Sequence, residues 1–169
     1  MSASEINNNR DKIHTDFQKI VTSLKFKLYL LAKLPSAWFS GVKVVSLNNE
    51  ECQTSVPYKW FSQNPFKSTY FACQAMAAEL STGIPAIMAI DKRKPRFSML
   101  VVNMEGSFSK KAVGLTTFVC KDVSKFIDII NDAEKSGEAR TLEAETIGYN
   151  KAGEEISRFK FTWSFKQKS

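Results

Sequence analysis

The stretch that decides the fold spans residues 69–90 and reads TYFACQAMAAELSTGIPAIMAI. Glu79 is its only Asp, Glu, Lys, Arg or His residue. A helix that is apolar on all sides is normally buried on most of them, so we expect the remaining chain to wrap around this one. Ser68 or Thr69 is expected to cap its start. Pro85 is expected to kink the helix or to split off its last turn.

Amphipathic and alternating patterns predict two further helices and six strands around that central helix. The helices span residues 10–33, closed by Pro35, and 122–135, closed by Gly137. The strands are expected to form three hairpins: 42–47 with 52–57, 97–107 with 112–120, and 139–149 with 155–165. Residues 1–9 are expected to be a disordered tail before a single domain at 10–169. The predicted fold class is α+β: an antiparallel six-stranded sheet wrapped around a long central helix, with an extra N-terminal helix.

The chain has 169 residues and a formal net charge of +7, from 24 Lys and Arg against 17 Asp and Glu. This surplus favours an anionic partner: a nucleic acid, a membrane surface or a phosphate-bearing ligand. Only the charge supports a nucleic acid, and no uninterrupted apolar run of membrane-spanning length occurs. The basic amphipathic segment 10–33 fits a helix on a membrane surface or one packed on a sheet, and we favour the second. We therefore expect neither a nucleic acid nor a membrane as partner.

The single histidine, His14, limits the possible chemistry. A Ser–His–Asp or Cys–His nucleophile would need it, and so would a histidine metal site, so we expect no metal. The three cysteines, Cys52, Cys73 and Cys120, form no C-x-x-C pair. They predict free buried thiols in a reducing compartment. Because the N-terminus also has no secretory signal pattern, we expect a cytoplasmic protein.

Glu79 is the first candidate for catalysis. A carboxylate on such a helix must be hydrogen-bonded, paired or placed at a cavity, because desolvating it unpaired is very costly. Burial raises a carboxyl pKa toward the range that is useful for a general base. The residues alone leave two hypotheses open: Glu79 is a catalytic base, or it bonds a backbone group or an arginine across an interface.

The start of the central helix is the second candidate. Backbone N–H groups there, with the helix dipole, favour an oxyanion. The side-chain amide of Asn64, just before the helix, is placed to orient a carbonyl or a water molecule. The alternative is that Asn64 is only a turn residue before Pro65.

Residues 64–79, NPFKSTYFACQAMAAE, resemble the signature of hot-dog fold thioesterases of the phenylacetate-degradation type. In that signature an acidic residue follows an Asn by fifteen positions, as Glu79 follows Asn64. The segment is still more similar to an uncharacterised hot-dog family of thioesterase-like proteins. The resemblance extends, less specifically, over about residues 10–168. It implies a hot-dog fold, in which an antiparallel sheet wraps around a long helix.

The resemblance also implies a function: hydrolysis of an acyl-CoA or acyl-carrier thioester, with coenzyme A as part of the substrate and no resident cofactor. Glu79 would polarise or deprotonate the attacking water, and the N–H groups of Phe71 and Ala72 would form the oxyanion hole. Asn64 and Tyr70 would complete the catalytic set. The site would lie between the subunits of a homodimer or homotetramer. Tyr70 stands where the family has His, and Phe71-Ala72 stands where it has Gly-Gly, which narrows the approach to the helix.

A basic loop follows the central helix and consists of Lys92, Arg93, Lys94 and Arg96. Together with Lys110 and Lys111 it is a candidate site for the phosphates of coenzyme A, and the alternative is a solvated connection. Two other functions fit parts of the sequence. A non-catalytic hot-dog protein that binds acyl ligands or serves as an oligomeric assembly module is favoured by Tyr70 and Phe71. A hot-dog hydratase would need a histidine beside the carboxylate, and His14 lies on the wrong helix.

Overall fold

The computed structural model describes residues 3–168 of the chain, with side chains from Lys12 to Lys168. The helices of this part are α1 (Ala3–Val21), α2 (Leu24–Lys33), α3 (Pro35–Ser40), α4 (Phe71–Ile90) and α5 (Val123–Ser136). The strands are β1 (Lys43–Leu47), β2 (Cys52–Pro57), β3 (Phe97–Phe108), β4 (Leu115–Cys120), β5 (Arg140–Tyr149) and β6 (Glu155–Gln167). A single 3-10 turn at Trp60–Ser62 precedes α4.

The six strands form one sheet in the order β1-β2-β4-β5-β6-β3, and every neighbouring pair is antiparallel. The long helix α4 packs against β2, β4, β5 and β6, and α5 packs against α4 beside β5. The predicted architecture, an antiparallel six-stranded sheet around a long central helix with added N-terminal helices, is therefore confirmed.

Helix α4 is the core of the molecule. It is long and apolar enough to span a membrane, but most of it is buried inside the protein, as in the core helix of a water-soluble α+β domain. Two buried hydroxyl groups fix its position: Thr54 on β2 donates to the Ala77 carbonyl at 2.6 Å, and Ser81 donates to Thr146 on β5 at 2.8 Å. Because both bonds lie out of water, they hold α4 in one register on the sheet.

The predicted second hairpin is wrong. Strand β3 pairs with β6 along its whole length, and β4 lies between β2 and β5. Strand length explains the difference, because β3 has 12 residues and β6 has 13, whereas β4 has only 6. Pairing the two long strands satisfies more backbone groups than the predicted hairpin would. The first and third hairpins, β1–β2 and β5–β6, pair as predicted.

The N-terminal region also differs from its prediction of one helix over 10–33. The backbone breaks at Ser23, whose hydroxyl caps α2 by accepting the Phe26 N–H at 3.4 Å. Pro35 follows the end of α2 as predicted but also begins α3, a helix that the sequence pattern did not reveal. Helix α1 begins at Ala3, within the segment expected to be a disordered tail. The first two residues of that tail lie outside the described residues.

Helix α4 begins later than predicted and is not interrupted. Its N-cap is Tyr70, not Ser68 or Thr69. The Thr69 N–H instead donates to the Ala112 carbonyl at 2.8 Å, and the Ser68 hydroxyl donates to Asn64. Both residues are thereby held in the loop before the helix. Pro85 does not split off the last turn, because α4 runs through it to Ile90.

Candidate functional site

The carboxylate of Glu79 lies over Gly83, one turn further along α4. A β-carbon built on Gly83 would stand 3.2 Å from Glu79 Oε1 and 3.4 Å from two ring carbons of Trp163 on β6. The Trp163 ring is itself fixed, because its Nε1–H donates to Thr82 Oγ1 at 3.0 Å. Gly83 therefore provides the space in which the carboxylate lies close to an immobilised indole ring.

Burial raises the pKa of Glu79, and no compensating donor or cation lowers it. Among the described residues, the carboxylate accepts no hydrogen bond and forms no ion pair. The alternative hypothesis for Glu79 is that it bonds a backbone group or an arginine. No such bond forms within the described part of one chain, and a bond to a second chain across an interface stays open. A half-buried carboxylate with a raised pKa and free oxygen atoms is chemically suited to take a proton from water.

Asn64 organises the loop before α4. Its Oδ1 accepts the N–H groups of Phe66 and Ser68 at 3.0 and 3.2 Å and the Ser68 hydroxyl at 3.2 Å. The turn interpretation of Asn64 therefore applies. It does not exclude a role in the site, because this turn uses only Oδ1 and the Nδ2 group donates to none of the described residues.

The first turn of α4 presents unpaired donors. Within the described chain, the N–H groups of Phe71 and Ala72 have no acceptor, whereas those of Cys73 and Gln74 both bond to the Tyr70 carbonyl. Two neighbouring free N–H groups at the positive end of a helix dipole favour an oxyanion. The side chains of Tyr70 and Phe71 are exposed and pack edge to face, with ring centroids 4.8 Å apart.

A groove of about 560 Å³ opens beside this turn, and we call it the N-terminal groove. It is lined by Asn64, Pro65, Phe66, Ser68, Thr69, Tyr70, Phe71, Gln74, Phe108, Ser109, Lys110, Lys111 and Ala112. Gln74 ties the groove to the sheet, because its Nε2 donates to the Thr69 carbonyl and its Oε1 accepts the Ser157 hydroxyl. The structure thus brings Asn64, Tyr70 and Phe71 together along one groove.

Glu79 does not line this groove. It is eight residues beyond Phe71 on a straight run of helix, which corresponds to about 12 Å at 1.5 Å per residue. The carboxylate and the helix N-terminus of one chain are therefore too far apart to act on one small reacting group. If both act on the same thioester, a second copy of the chain must supply one of them.

In the basic loop, Arg93 is buried, whereas Lys92, Lys94 and Arg96 are exposed. Arg93 is buried, and its guanidinium donates to the Ala89 carbonyl at 2.8 Å, to Asn131 at 2.7 Å and to Glu134. Desolvation lowers the pKa of Arg93, and the Glu134 carboxylate opposes this shift. Arg93 therefore anchors α4 to α5, and we remove it from the candidate phosphate site.

The other cations of the predicted phosphate site are exposed but lie at two ends of α4. Lys92, Lys94 and Arg96 follow the C-terminal end of the helix, about 30 Å from its N-terminus for a helix of 20 residues. Lys110 and Lys111 line the N-terminal groove, and Lys110 pairs with Glu154 at 2.5 Å. One chain therefore does not bring the two groups of cations together.

The histidine and the three cysteines are buried side chains of the fold. His14 is buried on α1 and does not line the groove. Cys52, Cys73 and Cys120 are buried free thiols, as predicted. Among the side chains from Lys12 to Lys168, no group of three or more His, Cys, Asp or Glu residues is placed to hold a metal ion.

Sequence reasoning missed Gly83 and Trp163 as neighbours of Glu79. The alternation in β6 correctly places Trp163 on the packed face of its strand. No local signal indicates which helical residue it meets, because that contact depends on the register between α4 and the sheet. The spacing of four residues between Glu79 and Gly83 was the available clue, since residues four apart share a helix face.

Comparison with solved structures identifies the architecture. A probable thioesterase of unknown function from Pseudomonas aeruginosa aligns with a TM-score of 0.72 at 18% identity, covering 86% of this chain and 97% of that one. A protein of unknown function from Chlorobaculum tepidum aligns at 0.73 and 12% identity, covering 94% and 96%. The fold is the hot-dog fold. A mutant thioesterase from Pseudomonas aeruginosa shares this hot-dog architecture at a TM-score of 0.66 and 10% identity, covering 86% and 95%. No family model and no curated protein sequence matches the chain.

Proposed function

We propose that this hot-dog protein is a cytoplasmic thioesterase that hydrolyses an acyl-CoA or acyl-carrier thioester at a site between two copies of the chain. The observation that carries the proposal is the carboxylate of Glu79, which is half-buried, has a raised pKa and has no partner among the described residues of its own chain. The similarity of the fold to thioesterase structures supports the same reaction class.

In the proposed reaction, the oxygen of a water molecule attacks the thioester carbonyl, and the Glu79 carboxylate accepts a proton from that water. The tetrahedral oxyanion accepts hydrogen bonds from the free N–H groups of Phe71 and Ala72. The C–S bond then breaks, the thiolate takes up the proton, and the products are a carboxylic acid and a thiol. Asn64 and Tyr70 both line the groove, and the Asn64 Nδ2 group and the Tyr70 hydroxyl would add side-chain donors for the substrate carbonyl.

A second copy of the chain is supported by the free edge of the sheet. Strand β3 bonds to β6 on one side, and its other side has no partner in the described chain. It carries exposed apolar side chains, with Leu100 exposed by 65% and Val102 by 52%. A long apolar edge strand normally pairs with another strand. A homodimer joined there, alone or as half of a homotetramer, would bring the two copies of α4 near each other.

The phosphates of a coenzyme A substrate would bind exposed cations. Lys111 lies in the N-terminal groove, and Lys92, Lys94 and Arg96 lie at the far end of α4. Because the two sets are about 30 Å apart within one chain, we propose that a partner copy supplies one of them. Ammonium and guanidinium groups without carboxylate partners suit phosphate binding.

A panel of acyl-CoA substrates, assayed for released thiol with wild-type protein and Glu79→Gln, tests the proposal. We expect turnover by the wild type and a loss of about 10²–10⁴-fold in kcat for Glu79→Gln, because the amide cannot accept the proton. Glu50→Gln, at an exposed position, is the matched control and should keep full activity. No turnover of any substrate by the wild type would contradict the proposal.

A second candidate function is non-catalytic binding of an acyl ligand. The exposed rings of Tyr70 and Phe71 favour it, because Phe71 stands where a glycine would let a thioester approach the helix and Tyr70 stands where the thioesterases it resembles have a histidine. Mass spectrometry of the protein under native conditions would then find a retained acyl ligand that is not turned over.

A further inference from the structure

A second concave site, separate from the groove, lies between the N-terminal helices and the edge strand β1. It is a cavity of about 370 Å³, and it shares no lining residue with the N-terminal groove. We call it the lysine-rimmed cavity. Its size falls in the lower part of the range of small-molecule sites, which is about 300–1,000 Å³.

The body of this cavity is apolar. Val21, Leu30 and Val42 are almost fully buried at its walls, and Phe26 and Trp38 are half-buried beside them. Two aromatic rings and three branched aliphatic side chains offer no hydrogen bond to a ligand except the indole N–H of Trp38. The interior therefore suits a hydrocarbon chain.

The rim of the cavity carries three lysines, Lys27, Lys43 and Lys59, from three different segments. No carboxylate of the described side chains lies within ion-pair distance of any of the three ammonium groups. Positive charge gathered from α2, β1 and the loop after β2 is thus left uncompensated around an apolar opening. Like charges on one rim repel one another, and an anion among them would offset that repulsion.

Gly41 holds one of these ammonium groups at the wall. A β-carbon on Gly41 would stand 2.8 Å from Lys59 Nζ and 2.9 Å from Lys59 Cε, so the end of this side chain folds over the glycine. Gly41 also ends α3 in the left-handed region, at φ 81°, which favours glycine. The Lys59 ammonium therefore lies against Gly41, which is itself a residue of the cavity wall.

We propose that the lysine-rimmed cavity binds an anionic amphiphile, with its apolar chain inside and a carboxylate or phosphate head among Lys27, Lys43 and Lys59. The volume accommodates about a dozen heavy atoms, at about 30 Å³ for each group the size of a water molecule. A medium-chain fatty acid or alkyl phosphate has these dimensions. This site does not depend on thioester hydrolysis, because none of its residues belongs to the proposed catalytic machinery.

Isothermal titration calorimetry with dodecanoate, below its micelle concentration, tests this site. We compare the wild type with Lys27→Gln/Lys43→Gln/Lys59→Gln and with Lys33→Gln/Lys121→Gln/Lys151→Gln, a control that loses the same net charge at exposed lysines elsewhere. The rim variant should weaken the Kd by about tenfold or more, equivalent to about 1.4 kcal/mol, while the control stays near the wild-type value. Raising the salt concentration should weaken binding to the wild type.

Further arms separate the head from the chain and test the cavity itself. Dodecyl phosphate that binds more tightly than dodecanoate identifies a phosphate head, and the reverse identifies a carboxylate; acetate and inorganic phosphate should not bind measurably. Val44→Phe, which fills the cavity from β1, should abolish binding even if the rim variant does not fold. Absence of dodecanoate binding to the wild type, or equal loss in the control variant, would overturn the proposal.

Discussion

Gly83→Ala is expected to stabilise the protein and to impair catalysis at the same time. Alanine is more favourable than glycine inside a helix by about 0.8–1.0 kcal/mol. The added methyl group would meet Trp163 ring carbons at 3.4 Å, an ordinary contact, and Glu79 Oε1 at 3.2 Å, which is too close. The carboxylate is the end of a flexible side chain and can move by a few tenths of an ångström, at a rotamer cost of about 0.5 kcal/mol. The net gain in the free energy of unfolding is then about 0.5 kcal/mol.

Urea unfolding measures the stability change, and thiol release from an acyl-CoA measures the catalytic change. Moving the base away from its water should lower kcat by about tenfold, since displacements near 1 Å cost about a hundredfold. In a Glu79→Ala background the contact is absent, so Gly83→Ala should give the full helix gain of about 0.8–1.0 kcal/mol. A loss of stability greater than about 1 kcal/mol would refute the described packing. An unchanged kcat would refute the role given to the position of Glu79.

Two other predictions concern Asn64 and the buried thiols. Asn64→Asp keeps the Oδ1 acceptor of the turn but removes the Nδ2 donor, so it should lower kcat with little change in thermal stability. Asn64→Ala removes both groups and should lower both kcat and thermal stability. An Asn64→Asp variant that is less stable but keeps its kcat would contradict the role given to Nδ2. Burial raises the pKa of Cys120 from 9.0 to about 12 and raises that of Cys52 further, so both thiols should resist a disulfide reagent at pH 8 until urea unfolds the chain. Thiols of the unfolded chain ionise near pH 9.0, whereas Cys52 and Cys120 stay protonated in the folded protein at that pH. Unfolding above pH 9.0 therefore releases protons. The free energy of unfolding should fall as pH rises from 9.0 toward 12. The double variant Cys52→Ala/Cys120→Ala should show a smaller fall in the free energy of unfolding over this pH range. An equal fall in this variant would contradict the assignment of the pH dependence to the two thiols.

Local patterns were sufficient for most of the fold. The apolar run that became α4 and the alternation that became β6 are both properties of consecutive residues, and the structure confirms both elements. The partner of β3 could not be predicted in this way, because strand pairing depends on matching lengths between segments distant in the sequence. The break at Ser23 was missed because apolar spacing continues through it, and only the capping hydroxyl marks the new helix.

For the candidate site, local patterns indicated single residues but not the contacts between distant segments. The lone charge on an apolar helix identifies Glu79, and the Asn-Pro turn before the helix identifies Asn64. The sequence pattern did not separate Arg93 from its exposed neighbours in the basic loop. Its burial depends on Asn131 and Glu134 of α5, which follow it by about forty residues. The register between α4 and β6, which places Trp163 beside Glu79, is likewise a property of the folded chain alone.

The central claim is that Glu79 of one copy acts with Asn64 of another. The direct test is thiol release by a purified heterodimer of one Glu79→Gln chain and one Asn64→Asp chain, separated from the homodimers by two affinity tags. Such a heterodimer has one site with both native residues and one with neither, so it should recover about half of the wild-type activity. Each homodimeric variant should be nearly inactive. A heterodimer no more active than its parents would contradict the claim.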